Sequence, residues 1–253
     1  MAPASPCPRH RPRRGVRRSS RVLFWPTGAR EEAETEVSAM IFEDRVDAGR
    51  RLAKALEEYR GRDLVILGVP RGGVVVADEV ARALNAPLDI VVARKIPAPG
   101  NPELAIGAVA ADGSDMIDPM ARHYPGVTPE YLERAKAEQI AEIQRRLQAY
   151  RGGRPAPDIA GKTVIVVDDG IATGSTVMAS LRSLRNRGAA ELILAVPVGP
   201  PSSIERLRAE ADRVVVLETP EPFFAVGEWY QRFDQVTDEE VVEILRRAGA
   251  PAR

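Results

Sequence analysis

The sequence predicts an α/β protein with a mostly parallel central sheet flanked by helices. Short apolar runs alternate with longer amphipathic segments through most of the chain, a pattern typical of strands that alternate with helices. Four consecutive β-branched residues, Val164 to Val167, form a run bounded by charge. Because this run is apolar on both faces, it is typical of a strand in the interior of a parallel sheet.

The same reasoning predicts two helices and two strands over residues 44–93. They are predicted in the order helix 44–59, strand 64–69, helix 74–84 and strand 88–93. Prolines and Gly100 predict a loop over 94–103. A hairpin over 104–110 and 116–117 should follow, with its turn at Asp112 and Gly113.

A long helical insertion is predicted over 128–150, with Thr128 as its N-cap and Pro129 at its first position. Its apolar residues face one way: Leu132, Ala135, Ile143 and Leu147. After the central strand and its helix, the remaining elements are predicted as strand 192–196, helix 202–211, strand 214–217 and helix 238–248.

The segment after the strand at Val164 carries the most chemistry. Asp168 and Asp169 are adjacent carboxylates, and a helix should follow with Ser175 or Thr176 as its N-cap. The small residues between them let backbone N–H groups converge on an anion at the positive end of that helix. Paired carboxylates suit sugar hydroxyls and Mg²⁺. The segment therefore predicts a site for a phosphorylated sugar.

Several other functions lack the residues they need. No Gly-Lys-Ser/Thr closes the loop as in nucleoside triphosphatases, and no GxGxxG opens a dinucleotide-binding unit. Cys7 is the sole cysteine, and His10 and His123 are the only histidines, which disfavours thiol chemistry and a serine hydrolase triad. The alternative that Asp168 and Asp169 only end a strand and cap a turn stays open.

The segment from Val164 to Thr176 resembles the 5-phosphoribosyl 1-pyrophosphate (PRPP) motif of the type I phosphoribosyltransferases. The resemblance extends over about residues 42–248. It implies a Rossmann-like fold with a helical insertion and a small C-terminal hood. It also implies that Asp168 and Asp169 meet the ribose hydroxyls and hold Mg²⁺, directly or through water or substrate. The loop that would wrap the 5-phosphate consists of Ala172, Thr173, Gly174, Ser175 and Thr176.

A second loop, Pro70-Arg71-Gly72-Gly73, follows the first predicted strand. Its glycines allow a ligand to approach the backbone closely, and its arginine supplies positive charge. The loop resembles the pyrophosphate-binding loop of the family. A simple turn with a solvent-exposed arginine is the alternative.

Two adjacent cations, Arg94 and Lys95, end the second predicted strand and would repel each other unless an anion lay nearby. They resemble the start of the mobile catalytic loop that closes over pyrophosphate in several family members. Prolines would stiffen this loop relative to a freely opening lid.

An aromatic segment near the C-terminus could select the acceptor by stacking on a planar base. Its residues with this expected role are Phe223, Phe224, Trp229 and Tyr230. The segment resembles the family's hood by composition more than by motif. A structural plug against the sheet is the alternative.

The resemblance implies a Mg²⁺-dependent phosphoribosyltransferase, a pentosyltransferase that moves the phosphoribosyl group of PRPP to a nitrogenous acceptor and releases pyrophosphate. The alternative is a non-catalytic sensor of PRPP or nucleotides on the same fold. Hypoxanthine-guanine enzymes place an aspartate where this chain has Ala172, which weakens the case for a 6-oxopurine acceptor. The motifs resemble a less characterised branch of the family, and the acceptor and a homodimeric assembly stay open.

The chain divides into an arm, residues 1–39, and a phosphoribosyltransferase domain, residues 40–253. The arm is rich in Pro and Arg and is expected to be disordered, or to result from start-site assignment with translation beginning at Met40. It holds eight arginines and four glutamates, which leaves 28 basic and 32 acidic residues in the domain. This balance argues against nucleic acid as a partner. No apolar run is long enough to span a membrane, and a cytoplasmic location is expected.

Overall fold

A computed structural model describes residues 21–23 and 41–249 of the chain. The strands of these residues are β1 (Arg21–Leu23), β2 (Leu64–Gly68), β3 (Leu88–Ile90), β4 (Ala93–Ala98), β5 (Asn101–Ala110), β6 (Asp115–Ile117), β7 (Thr163–Val167), β8 (Glu191–Val198) and β9 (Arg213–Glu218). The α-helices are α1 (Arg45–Ala55), α2 (Gly72–Leu84), α3 (Pro129–Arg151), α4 (Ser175–Asn186), α5 (Pro201–Leu207) and α6 (Asp238–Ala248).

The central sheet has the strand order β1-β9-β8-β7-β2-β3, and each neighbouring pair is parallel. Successive residues of its strands face opposite sides, so the sheet buries two apolar surfaces. Ile66, Ile165 and Ile193 join one core with the apolar faces of α1, α2, α3 and α6. Val164 and Leu194 join a second core with α4 and α5. The predicted parallel α/β fold is confirmed.

Ile165 is a sensitive point of this core, because its side chain is fully buried in β7 between β2 and β8. We expect Ile165→Ala to lower the free energy of unfolding by about 2–5 kcal/mol through lost burial and the cavity left behind. Urea denaturation measures this. Val242→Ala on the exposed face of α6 should change the value by less than about 0.5 kcal/mol; equal losses for both variants would contradict this packing.

The order of strands reverses between β2 and β7. From β2 the chain proceeds outward to β3, whereas from β7 it proceeds the other way to β8 and β9. Gly68 and Val167 are register partners at the carboxyl ends of the two strands, and the Val69 N–H donates to the Val167 carbonyl at 2.8 Å. In open α/β sheets, ligands bind in the crevice at such a switch point.

The predicted helical insertion is present as α3. The side chain of Thr128 accepts a hydrogen bond from the Tyr131 N–H at 3.2 Å, Pro129 opens the helix, and Gly152 ends it with φ +57°. Ala135 and Ile143 are buried as expected. The helix packs on a small antiparallel sheet of order β4-β5-β6, whose β5-β6 pair is the predicted hairpin.

The prediction of a loop over 94–103 was wrong. These residues form most of β4, a turn at Pro99 and Gly100, and the start of β5. Prolines are compatible with strand structure here because β4 is an edge strand and its pairing shifts register on both sides of Pro97.

The arm lies outside the described residues except for β1. These three residues, Arg21–Leu23, pair in parallel with residues 213–215 of β9. No regular structure was expected here; the otherwise open edge of β9 supplies the backbone hydrogen-bonding groups for this strand. No helix in the described part of the chain is both long and apolar enough to cross a membrane.

Candidate functional site

The two predicted carboxylates lie at the carboxyl end of β7, beside the switch point. The Asp169 N–H donates to Oδ1 of Asp168 at 2.9 Å, so the carboxylate of Asp168 folds back over the next peptide. Burial, and then the negative charge of Asp169, raise the pKa of the Asp168 carboxyl well above its usual range. Two adjacent acids in this environment favour a bound cation or hydroxyl donors.

In the loop that follows, two backbone carbonyls are engaged and three backbone N–H groups are not. Ser203 donates to the Ala172 carbonyl at 2.7 Å, and Arg206 donates to the Thr173 carbonyl at 2.8 Å. Within the described residues, the N–H groups of Ala172, Thr173 and Gly174 have no hydrogen-bond acceptor. N–H groups without a partner, in this loop and in the first turn of α4, are the kind of donors that bind anions at a helix N-terminus.

The expected N-cap of α4 was wrong. Gly174, with φ +74°, occupies the cap position, and no side chain caps the helix there. Glycine adopts this left-handed conformation without the steric cost of a Cβ. The hydroxyls of Ser175 and Thr176 make no hydrogen bond as caps, and both residues are half-exposed at the start of the helix.

The glycine loop after β2 lies directly against the two aspartates. A Cβ on Gly72 would overlap Oδ2 of Asp169, and a Cβ on Gly73 would lie 2.8 Å from Oδ1 of Asp168. The glycines are therefore required by close approach of the two loops. The Pro70–Arg71 peptide bond, just before them, is cis.

Arg71 extends from this loop toward α6. Its Nη1 lies 3.9 Å from Oδ1 of Asp238, a carboxylate oxygen that also accepts a hydrogen bond from the Tyr150 hydroxyl at 2.7 Å. The Arg71 side chain is 40% exposed. A surface pair of this length is weak, so it does not commit the Arg71 guanidinium to Asp238.

The two cations of β4 lie on opposite faces of the strand. Arg94 Nε donates to Gln139 Oε1 at 2.7 Å, and its Nη1 lies 3.8 Å from Glu142, so Arg94 is bound to α3. Burial, together with the nearby Arg146, lowers the pKa of the Arg94 guanidinium. Lys95 is exposed on the other face, and no described residue pairs with it.

The aromatic segment is partly a structural plug. The hydroxyl of Tyr230 donates to the Asp169 carbonyl, and its ring lies 5.0 Å from that of Phe233 and 5.4 Å from that of Phe42. These contacts bury Tyr230, which excludes it from stacking on a base. Phe223 and Trp229 stack on each other with centroids 6.4 Å apart. Phe224 is 78% exposed and carries the free aromatic face.

One residue of the site was not anticipated from the sequence. Arg45, the first residue of α1, donates from Nε to Oδ2 of Asp169 at 2.7 Å. No local pattern signals this contact, since the two residues belong to distant parts of the chain.

The described residues offer a metal ion at most a pair of acidic side chains at this site. Within the described residues, no three His, Cys, Asp or Glu side chains are grouped so as to hold a metal ion. Mg²⁺ is commonly bound through one or two carboxylates together with substrate phosphates. The pair at Asp168 and Asp169 fits that pattern when a phosphosugar supplies the remaining oxygens.

Fold and site together define an open α/β protein with unpaired loop N–H groups, paired carboxylates and a glycine loop at its switch point. Residues 39–232 match the phosphoribosyl transferase domain family. The chain belongs to the type I phosphoribosyltransferase family.

Relatives agree with this assignment. Two proteins of Mycobacterium tuberculosis, from strains CDC 1551 and H37Rv and provisionally named phosphoribosyl transferases, are each 46% identical over 211 residues. The match covers 82% of this chain and 47% of each relative, so the chain spans about half their length. A crystal structure of the protein TT1426 from Thermus thermophilus is 46% identical, with a TM-score of 0.72, and the match covers 83% of this chain and 100% of that one.

Proposed function

We propose that the chain is a Mg²⁺-dependent phosphoribosyltransferase that transfers the 5-phosphoribosyl group of PRPP to a nitrogenous acceptor. The observation that carries the proposal is the contact of the Gly72 and Gly73 backbone with the carboxylates of Asp169 and Asp168. This contact supports a site in which the glycine loop binds pyrophosphate and the two aspartates bind the ribose. PRPP is a ribose that bears a phosphate at one end and pyrophosphate at the other, so it suits both loops.

In the proposed complex, each loop binds one part of the substrate. The N–H groups of residues 172–176 and the hydroxyls of Ser175 and Thr176 bind the 5-phosphate. Asp168 and Asp169 accept hydrogen bonds from the ribose hydroxyls, and the two carboxylates would hold Mg²⁺ together with substrate oxygens. The bound ion would supply positive charge for the leaving group. Holding the sugar at both ends lowers the entropic cost of reaching the transition state.

The reaction breaks the bond between C1 of the ribose and a pyrophosphate oxygen and forms a bond from C1 to an acceptor nitrogen. The electron pair of the broken bond leaves on pyrophosphate, and the acceptor loses its proton. Arg71, the N–H groups of Gly72 and Gly73, and Lys95 stabilise the departing negative charge. Arg94, held on α3 by Gln139, adds positive charge at the other face of β4.

The acceptor side of the site is assigned to the aromatic segment. A Cβ on Gly170 would overlap the Val226 side chain, so this segment packs against the start of the loop that follows Asp169. We expect Phe224→Ala to raise the KM for a planar acceptor about 10-fold or more, because base stacking contributes roughly 1–3 kcal/mol. Steady-state kinetics measures this. Met120→Ala removes an exposed apolar side chain elsewhere and should leave KM unchanged; an unchanged KM in Phe224→Ala would overturn the assignment.

Pyrophosphate release tests turnover. PRPP and Mg²⁺ are supplied with a panel of nucleobases and small amines, and the proposal predicts acceptor-dependent release with at least one of them. Tight PRPP binding without release from any acceptor would favour the sensor alternative.

A further inference from the structure

Arg45 reaches from the start of α1 into the centre of the site. Its Nε donates to Oδ2 of Asp169 at 2.7 Å, and its Nη1 donates to the Asp234 carbonyl at 2.7 Å. Its guanidinium carbon lies 3.8 Å from the centroid of the Phe233 ring. Only 11% of the side chain is exposed. The guanidinium is therefore held by three groups: the Phe233 ring, the Asp234 carbonyl next to it, and Asp169 in the loop that follows β7, here called the carboxylate loop.

The glycine loop packs against the same ion pair. A Cβ on Gly72 would lie 2.6 Å from Nε of Arg45 and would overlap Oδ2 of Asp169. Arg45 consequently lies where the carboxylate loop, the glycine loop and the aromatic segment meet. No other described arginine or lysine pairs with Asp168 or Asp169.

The start of α1 is itself well anchored, which fixes the direction of the Arg45 side chain. Asp44 caps the helix by accepting hydrogen bonds from the N–H groups of Val46 and Asp47, each at 3.0 Å. The Gln231 N–H donates to the Phe42 carbonyl at 2.8 Å, which joins this segment to the aromatic segment. A residue held this firmly is suited to orienting a partner.

We propose that Arg45 is a positioning residue that orients Asp169 for PRPP with Mg²⁺, an inference that rests on the proposed function. Arg45 donates to Oδ2 of Asp169 from a guanidinium that is itself held by the Asp234 carbonyl and the Phe233 ring. The ion pair thus fixes the orientation of the carboxylate that would meet the ligand. It also compensates one of two adjacent negative charges, which would otherwise repel each other.

Two other roles fit the contacts less well. A latch that must release Asp169 before the ligand binds would need a mobile arginine, but Arg45 has two anchors besides Asp169. A purely structural tie between α1 and the aromatic segment is already provided by Arg232, whose Nη2 donates to Glu43 at 2.8 Å and to Asp44 at 2.7 Å.

Arg232 therefore offers a matched control for Arg45. The measured quantity is the Kd for PRPP in saturating Mg²⁺, determined by titration calorimetry on the full chain. We expect Arg45→Ala to weaken binding about 10–100-fold, the loss typical of a charge-assisted hydrogen bond. Arg45→Lys should fall between Arg45→Ala and wild type, because lysine keeps the charge without the planar fork. Arg232→Ala should stay within about twofold of wild type.

The outcomes separate this inference from the proposed function. A wild-type chain that does not bind PRPP refutes the proposed function. If the wild-type chain binds PRPP but Arg45→Ala and Arg232→Ala have the same Kd, only the positioning role is refuted. Tighter binding of PRPP by Arg45→Ala than by the wild type also refutes the positioning role. Should Arg45→Ala fail to fold, Arg45→Lys decides, since positioning requires at least about threefold weaker binding for that variant.

Discussion

Replacing Asp168 and Asp169 together by asparagine will abolish the rise in melting temperature that PRPP with Mg²⁺ gives the wild-type chain. A ligand at 100 times its Kd stabilises the folded state by about 2.7 kcal/mol, which is roughly 5–10 °C for a chain of this size. Asparagine keeps the shape of aspartate but removes the charges that would hold the metal and the ribose hydroxyls. Hydrogen bonds to charged groups contribute about 1.5–3 kcal/mol each, so the expected loss of affinity is on the order of 100- to 10,000-fold.

Two controls keep this result specific to the site. Asp168→Asn alone removes a buried carboxyl that carries a raised pKa, so the ligand-free melting temperature should hold or rise. Asp63→Asn changes an exposed aspartate that precedes β2 at the opposite end of the sheet and should leave the ligand-induced shift intact. An unchanged shift in the double variant would refute the assignment of both carboxylates.

Gly72→Ala will weaken binding of PRPP with Mg²⁺ by about 100-fold or more. The added Cβ would overlap Oδ2 of Asp169 and lie 2.6 Å from Nε of Arg45, so the ion pair or the loop must move. A displacement of this kind separates the two loops that would grip opposite ends of the substrate. Titration calorimetry with PRPP and Mg²⁺ measures the change.

Gly113→Ala is the matched control for the cost of the added methyl group. Gly113 has φ +85°, and a Cβ there meets no atom within 4 Å. That variant should lose about 1 kcal/mol of stability through backbone strain yet bind PRPP like the wild type. Wild-type affinity in Gly72→Ala would show that the glycine loop takes no part in binding.

Regular elements with local signals were predictable from the sequence. The helix over 238–248 has the bounds expected, because Thr237 and Glu240 form a capping box and the apolar positions repeat with helical spacing. Thr128 and Pro129 likewise mark the start of α3. The strand β7 was recognisable because burial on both faces leaves an uninterrupted apolar run.

Features decided by distant contacts were not predictable. The prolines of β4 indicated a loop, whereas edge position and irregular pairing allow a strand. Arg45 belongs to the site only because α1 packs beside the aromatic segment and the carboxylate loop, and Tyr230 is excluded from the acceptor face by its hydrogen bond to Asp169. Arg94 and Lys95 point to opposite faces of β4 because successive residues of a strand alternate in direction. The sequence predicted a loop here, and a loop carries no such alternation.

A crystal structure of the chain with PRPP and Mg²⁺ is the most direct test of the account. The account predicts ribose hydroxyls within hydrogen-bond distance of Asp168 and Asp169, the 5-phosphate on the N–H groups of residues 172–176, and pyrophosphate against Gly72 and Gly73. PRPP bound elsewhere would contradict it, for example in the groove of about 1020 Å³ lined by Arg182, Arg185 and Arg208.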